Sequence, residues 1–281
     1  MARSGTGRQA PRLTRIARAA GVASARTGRR AVLAGMLGAV PPALRAARAA
    51  DPGPPPSSLP AALTTATVRT DAPGRSDRAP ALRRALALVL AKLSGNPALE
   101  ADARVAALDP AALVLNLSYE DVLIDKAFHD EQGTYDRPFL LSVRFDEAGL
   151  RAALAGLGER PWPGPRPRLA PLLALRFRDG RETALTADDP LVDRARAALT
   201  AAGARYAMPL ALPLRDSAAP PPGAVPVAGR VEWAESEFGW RAAFEMRGQA
   251  WGVSGASLDE AFRALVGGAA LRLRPASTAP G

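Results

Sequence analysis

Residues that attack carbonyls, move protons or hold metals are scarce in this chain of 281 residues. It has one histidine, His129, and no cysteine. His129 stands near Asp125, Asp130 and Glu131, and imidazole titrates where a general base or pH sensor needs it. A histidine in a polar loop needs no such role, and one alone cannot build a histidine metal cage. The absence of cysteine removes disulfides, thiolate metal sites and thiol nucleophiles together. The carboxylate pairs Glu120-Asp121 and Asp188-Asp189 have the residue type for acid–base work. Neighbours on a strand point to opposite faces, however, and Asp189 before Pro190 fits a helix cap. No phosphate-cradling glycine loop and no serine elbow occurs. These residues predict no catalytic centre, no metal and no cofactor. Trp162, inside Arg-Pro-Trp-Pro-Gly-Pro-Arg-Pro, suits either docking into an aromatic groove or pinning a linker to its own domain, and the latter is expected. Trp233, Trp240 and Trp251 fall in successive strand-like runs and read as sheet packing.

The formal charge of +10 would ordinarily point to nucleic acid or an anionic membrane. Its distribution points elsewhere. Of the 37 basic residues, ten are arginines within 1–49, where there is no Asp, Glu or Lys; the other 27 balance the 27 acidic residues. A neutral body without clustered cations lacks what phosphate binding by counterion release requires, so no nucleic acid is expected as partner.

The basic segment has the three regions of a signal peptide in order. A stretch from Arg3 ends in Arg26-Thr27-Gly28-Arg29-Arg30, an apolar run follows from Ala31 to Leu44, and Ala47-Arg48-Ala49 is a small-x-small cleavage site. Arg29 and Arg30 before a mild apolar run containing Leu33 resemble a twin-arginine export signal. The uncharged run has 14 residues interrupted by Pro41 and Pro42, short of the roughly 20 that a spanning helix needs. The expectation is export, cleavage after Ala49, a periplasmic location and no stable membrane span afterwards.

Beyond this signal peptide of residues 1–49, residues 50–61 form a proline-rich spacer. Residues 62–158 read as a first α+β unit. It begins with a β-run, Leu63 to Thr70, and a helix capped by Ser76 with Pro80 in its first turn. Leu82, Leu86, Val89, Leu90 and Leu93 carry that helix to a stop at Gly95. Asn96-Pro97 and Asp109-Pro110 each open a further helix, Leu117–Phe128 and Pro138–Phe145 form a long-looped hairpin, and Asp146 caps a helix through Leu157. Residues 159–171, with five prolines around Trp162, read as a stiff connector. Residues 172–272 read as a second α+β unit. A β-run from Leu169 to Phe177 turns at Asp179-Gly180, Asp189-Pro190 starts a helix ending near Gly203, and Tyr206–Leu214 reads as a buried strand. The runs Val225–Trp233, Phe238–Met246 and Gln249–Val253 form a meander, and Ser257-x-x-Glu260 opens a capping-box helix through Leu271. Residues 273–281 read as a disordered tail. The predicted class is α+β, with antiparallel strands packed against helices.

Several of these motifs fall in a familiar order. Lys92-Leu93-Ser94-Gly95-Asn96, then Phe145-Asp146, then Trp162 with Arg166-Pro167, then Pro213 with Asp216, resemble the bacterial envelope family called domain of unknown function 2066. The resemblance spans about 63–270. It implies an exported protein and transfers no catalytic residue. The expected function is a non-catalytic envelope scaffold contacting another envelope protein. The alternative is a periplasmic small-ligand binder or a carboxylate-dependent enzyme. A pocket with converging Asp and Arg side chains marks the alternative, and a flat apolar patch marks the scaffold.

Overall fold

Helix caps and alternating apolar residues set the elements in the computed structural model, which describes residues 59–70, 75–122, 138–217 and 219–275. All of these lie within one compact unit, Pro55–Gly281. His129 with Asp125, Asp130 and Glu131 lies outside the described residues, as do Arg29, Arg30, Leu33, Ala47 and Ala49 and the residues beyond 275. The fold is α+β, with two sheets packed against helices.

The first sheet follows α1 (Ala61–Thr64) and has the strand order β1-β3-β2, both pairings antiparallel. β1 is Thr65–Thr70, β2 Val114–Asp121 and β3 Phe139–Phe145. On β3, Leu141, Val143 and Phe145 turn inward while Ser142 and Arg144 turn out, the two-residue period of a half-buried strand. The inward side chains share a core with Leu82, Leu86, Leu90 and Leu93 of α2 (Arg75–Ser94) and with Leu150 and Leu154 of α4 (Glu147–Gly156). Asp146 caps α4 by accepting from Gly149 N at 2.7 Å. Three local expectations need correction. α2 begins at Arg75, so Pro80 lies inside the helix instead of in its first turn. Asn96-Pro97 and Asp109-Pro110 open only 3-10 turns, Pro97–Ala101 and Ala111–Leu113, whose backbone bonds reach three residues back, Leu99 N to Asn96 O and Leu113 N to Pro110 O. The short α3 (Ala103–Ala106) is capped by Asp102 instead.

The second sheet has the order β5-β4-β6-β7-β8. β4 (Leu169–Arg176) pairs antiparallel with the short β5 (Glu182–Ala184) and parallel with β6 (Val225–Ala234). That parallel pair makes the sheet mixed, and α5 (Asp193–Arg205) supplies the crossover it requires. β7 (Gly239–Met246) and β8 (Gln249–Ala256) continue as an antiparallel meander. Their hairpin closes through Arg247 (φ 53°) and Gly248 (φ 75°), the double left-handed geometry of a tight two-residue turn. α6 (Leu258–Leu273) starts at a capping box between Ser257 and Glu260. α5 and α6 share one core with the sheet: Leu199 and Ala202, then Phe262, Leu265 and Val266, against Leu173, Val227, Val231 and Phe244. The buried strand expected at Tyr206–Leu214 is not a strand. The segment crosses the sheet end with one isolated bridge, Leu169 to Leu210, because Pro209 and Pro213 have no N–H to continue a ladder. It is held through proline carbonyls, Pro209 O accepting from Leu169 N at 2.8 Å and Pro213 O from Ala187 N at 2.9 Å.

Candidate functional site

The residues with the resemblance motifs gather mainly at a packing joint. Gly95 ends α2 at φ +72°, and an added Cβ would sit 2.5 Å from Trp162 Cε3. Trp162 N donates to Leu93 O at 2.8 Å, and the Arg166 guanidinium lies 5.1 Å from the Trp162 ring centre. Arg166 donates to the carbonyls of Lys92 and Leu93 at the end of α2, and to that of Tyr206 just past α5. One planar cation thus satisfies the carbonyl ends of two helices, where both unpaired C=O groups and helix dipoles favour positive charge. Burial pulls the Arg166 guanidinium down to about 10. Lys92 is also lowered, by burial first and then by Arg166 and Arg205, and its ammonium donates to Ala62 O and Thr65 O at 3.0 and 2.7 Å. Arg205 is paired with Glu100, and burial pushes the adjacent Tyr206 phenol up to about 12. The three cations of this joint, Lys92, Arg166 and Arg205, are all engaged within the protein. Pro167 follows Arg166 in the extended approach to β4, Phe145 is core, Pro213 is a carbonyl acceptor and Asp216 sits in a turn after Leu214.

The carboxylate pairs are also structural. Asp188 accepts from Arg215 N at 2.9 Å, and that bond holds its carboxyl below the usual range. Asp189 accepts from Leu191 N at 2.9 Å as the cap of the 3-10 turn Pro190–Val192, and is lowered chiefly by that bond. Glu120 and Asp121 alternate on β2, Glu120 exposed and Asp121 half-buried. Among the described residues, no group of three or more His, Cys, Asp or Glu side chains is placed to hold a metal ion.

A different set of residues converges at the C-terminal ends of the parallel strands β4 and β6. Phe177 and Trp240 meet edge to face with ring centres 6.1 Å apart, and Trp233 meets Trp240 the same way at 5.9 Å. Arg178 lies 5.7 Å over Trp233 and is paired with Glu235 at 2.7 Å, while the Trp233 indole N–H donates to the same Glu235 at 2.7 Å. The Trp233 bond and then Arg178 lower the Glu235 carboxyl. Between these rings and the first turns of α5 and α6 opens a cleft of about 600 Å³, with Leu191, Arg194, Leu258 and Asp259 on its helix side. Phe238 stands at its lip, 80 % exposed, and Leu191 is 56 % exposed. Phe238 has φ 48° and ψ 37°, a left-handed conformation that costs an L-residue about 1–2 kcal/mol. The sequence marks Trp233 and Trp240 as sheet packing, and both do sit on strands; their second role appears only once β4 and β6 are known to lie side by side. Phe238 opens the alternating run expected as a strand from 238 to 246, but the strand begins at Gly239 and Phe238 is the left-handed residue that ends the preceding 3-10 turn.

A larger concavity of about 820 Å³ lies beside Leu59, Leu63, Trp162 and Arg166. Its arginines are already used, Arg151 by Glu147 and Arg166 by three carbonyls, which leaves only Arg160 to greet a ligand. The aromatic cleft has better credentials: apolar walls, a few free polar groups, and a position outside the carboxyl ends of parallel strands.

Fold and site together define an α+β protein with an aromatic cleft. Residues 61–163 match a family model described as Domain of unknown function (DUF8605). The match takes in the first sheet with its helices and stops at Trp162-Pro163, so the second sheet and the cleft lie outside it. No curated protein and no solved structure matches the chain. The resemblance to domain of unknown function 2066 is therefore corrected, because the family model that does match is a different one. The motifs that suggested it are ones that local physics demands of many chains: a left-handed helix stop at Gly95, a core Phe145 and a helix cap at Asp146. No helix among the described residues is long and apolar enough to cross a membrane.

Proposed function

We propose that this chain is an exported binding module of the bacterial envelope, which engages a partner through the aromatic cleft and catalyses nothing. The supporting observation is Phe238. A large apolar ring in strained backbone, exposed at the lip of a cleft walled by Trp233, Trp240 and Phe177, has no folding purpose. Glycine or asparagine would relieve the strain, and water solvates the ring poorly. Strain of this kind persists where a displayed side chain is wanted. Export rests on the leader, with Arg29, Arg30 and Leu33 ahead of the cleavage site Ala47-Arg48-Ala49.

The test places a photo-reactive phenylalanine analogue at position 238 in living cells, and at exposed Leu115 on the first sheet as control. A discrete adduct from 238 and none from 115, on protein whose mass corresponds to cleavage after Ala49, is expected. Equal labelling from both positions, or full-length protein in the cytosol, contradicts the proposal.

A further inference from the structure

We infer that the occupant of the cleft is a second copy of this chain, set across a two-fold axis so that Phe238 of each copy enters the other's cleft. This rests on the binding-module reading and goes on to name the partner. A two-fold contact joins a patch to itself, so the patch must carry its own complement, a hole for each knob and an anion for each cation. The surface around this cleft holds one of each. The hole is the cleft of about 600 Å³, whose rings Phe177, Trp233 and Trp240 are fixed by edge-to-face contacts before anything binds, so little side-chain freedom is lost. The knob is Phe238, which follows the 3-10 turn Glu235–Glu237 in left-handed backbone and leaves its ring in solvent at the lip of that same cleft. Exposed large apolar side chains number six among the described residues, and two of them, Leu191 and Phe238, line this one cleft. Apolar surface is thus gathered here, as an interface between copies requires.

Charge follows the same rule. Arg194, in the first turn of α5, and Asp259, in the first turn of α6, both line the cleft and are both exposed. Neither side chain has a hydrogen-bond or ion-pair partner among the described residues, and the two do not pair with each other. Arg178, the other lining cation, is answered by Glu235. One spare cation and one spare anion favour neither an acidic nor a basic partner. Across a two-fold axis both are answered, Arg194 by the partner's Asp259 and Asp259 by the partner's Arg194; such complementarity fixes register and specificity. Two aromatic knobs and two ion pairs make a small interface, which holds at about micromolar concentrations and above, so the dilute protein presents an open cleft.

The test is sedimentation velocity of the purified protein from about 1 to 200 μM, the range in which an interface of this size dissociates. Wild type is compared with Phe238→Asp, Arg194→Asp and Asp259→Arg. All three positions are exposed, so the variants keep the fold, and circular dichroism checks this. Wild type is expected to dimerise as its concentration rises, and each variant to dissociate with a constant about tenfold or more higher. An equimolar mixture of Arg194→Asp and Asp259→Arg proteins sets opposite charges at both contacts again, and is expected to recover the wild-type association. Wild type that stays monomeric throughout, a dimer indifferent to Phe238→Asp, or a mixture no better than its components overturns the inference. If wild type is monomeric while position 238 captures another protein in cells, the inference fails and the binding-module reading stands. If position 238 captures nothing either, both fail.

Discussion

Substituting Gly95 by alanine strikes the joint between α2 and the 159–171 segment at its tightest point. Two costs combine. The left-handed backbone, φ +72°, charges a Cβ about 1–2 kcal/mol, partly offset by the stiffer unfolded chain of alanine, about 0.4–1 kcal/mol. The new Cβ also falls 2.5 and 2.8 Å from Trp162 Cε3 and Cζ3, where Trp162 is held by its own backbone bond to Leu93 O and by Arg166. Forcing atoms into such a contact costs typically about 1–3 kcal/mol. The total comes to about 2–4 kcal/mol. Gly158 provides the control: φ is +75°, yet nothing lies within 4 Å of its added Cβ, so Gly158→Ala bears the backbone cost alone, about 1 kcal/mol or less. Urea unfolding at 25 °C with a slope of about 2 kcal/mol/M converts these to midpoint losses of about 1–2 M and under about 0.5 M. In a Trp162→Leu background, the Gly95→Ala penalty is expected to shrink to that of Gly158→Ala. Equal midpoints for the two single variants would refute the reasoning, since they share their backbone geometry and differ in Trp162.

Other consequences follow from the same geometry. Arg166→Met leaves three carbonyls at two helix ends without their donor and is expected to cost about 3 kcal/mol or more by urea unfolding, with Arg166→Lys recovering only part because an ammonium cannot fork between them. Tyr206, raised to about 12 against 10.0 for a free phenol, binds its proton more tightly folded than unfolded. Its contribution is therefore complete below pH 10 and lost as pH climbs towards 12, so wild type should lose stability relative to Tyr206→Phe across that window, and one phenol should titrate late at 295 nm. Phe238→Asp trades a strained, exposed ring for a residue that tolerates left-handed backbone, so thermal denaturation should show unchanged or slightly raised stability while partner capture is lost.

Local physics was legible in the sequence wherever a short pattern fixes a short structure. Asp146 and the Ser257–Glu260 box cap their helices as their spacing dictates, Asp189 caps a 3-10 turn that leads into α5, Gly95 stops α2, and the three alternating runs become β6, β7 and β8. Failures arose where neighbours decide. The apolar run at 206–214 has a strand's composition, but two prolines and the end of α5 turn it into a strap. The 3-10 turns at Pro97 and Ala111 look like helix starts because capping chemistry marks a beginning without setting a length. The cleft was hidden for a further reason. Phe177, Trp233 and Trp240 are 56 and seven residues apart in sequence, and only the parallel pairing of β4 with β6, made by the α5 crossover, brings them together. Phe238 announces itself by exposure and backbone angle, neither of which a residue type reveals.

Four indole N–H groups report on the molecule at once, two in the cleft (Trp233 and Trp240) and two away from it, Trp162 at the joint and Trp251 bonded to Ala264 O at 3.0 Å. With the protein labelled at tryptophan with nitrogen-15 and placed in unlabelled periplasmic extract, the Trp233 and Trp240 signals should shift or broaden while the other two hold still. Movement of Trp162 alone, or uniform behaviour of all four, would contradict binding at this cleft.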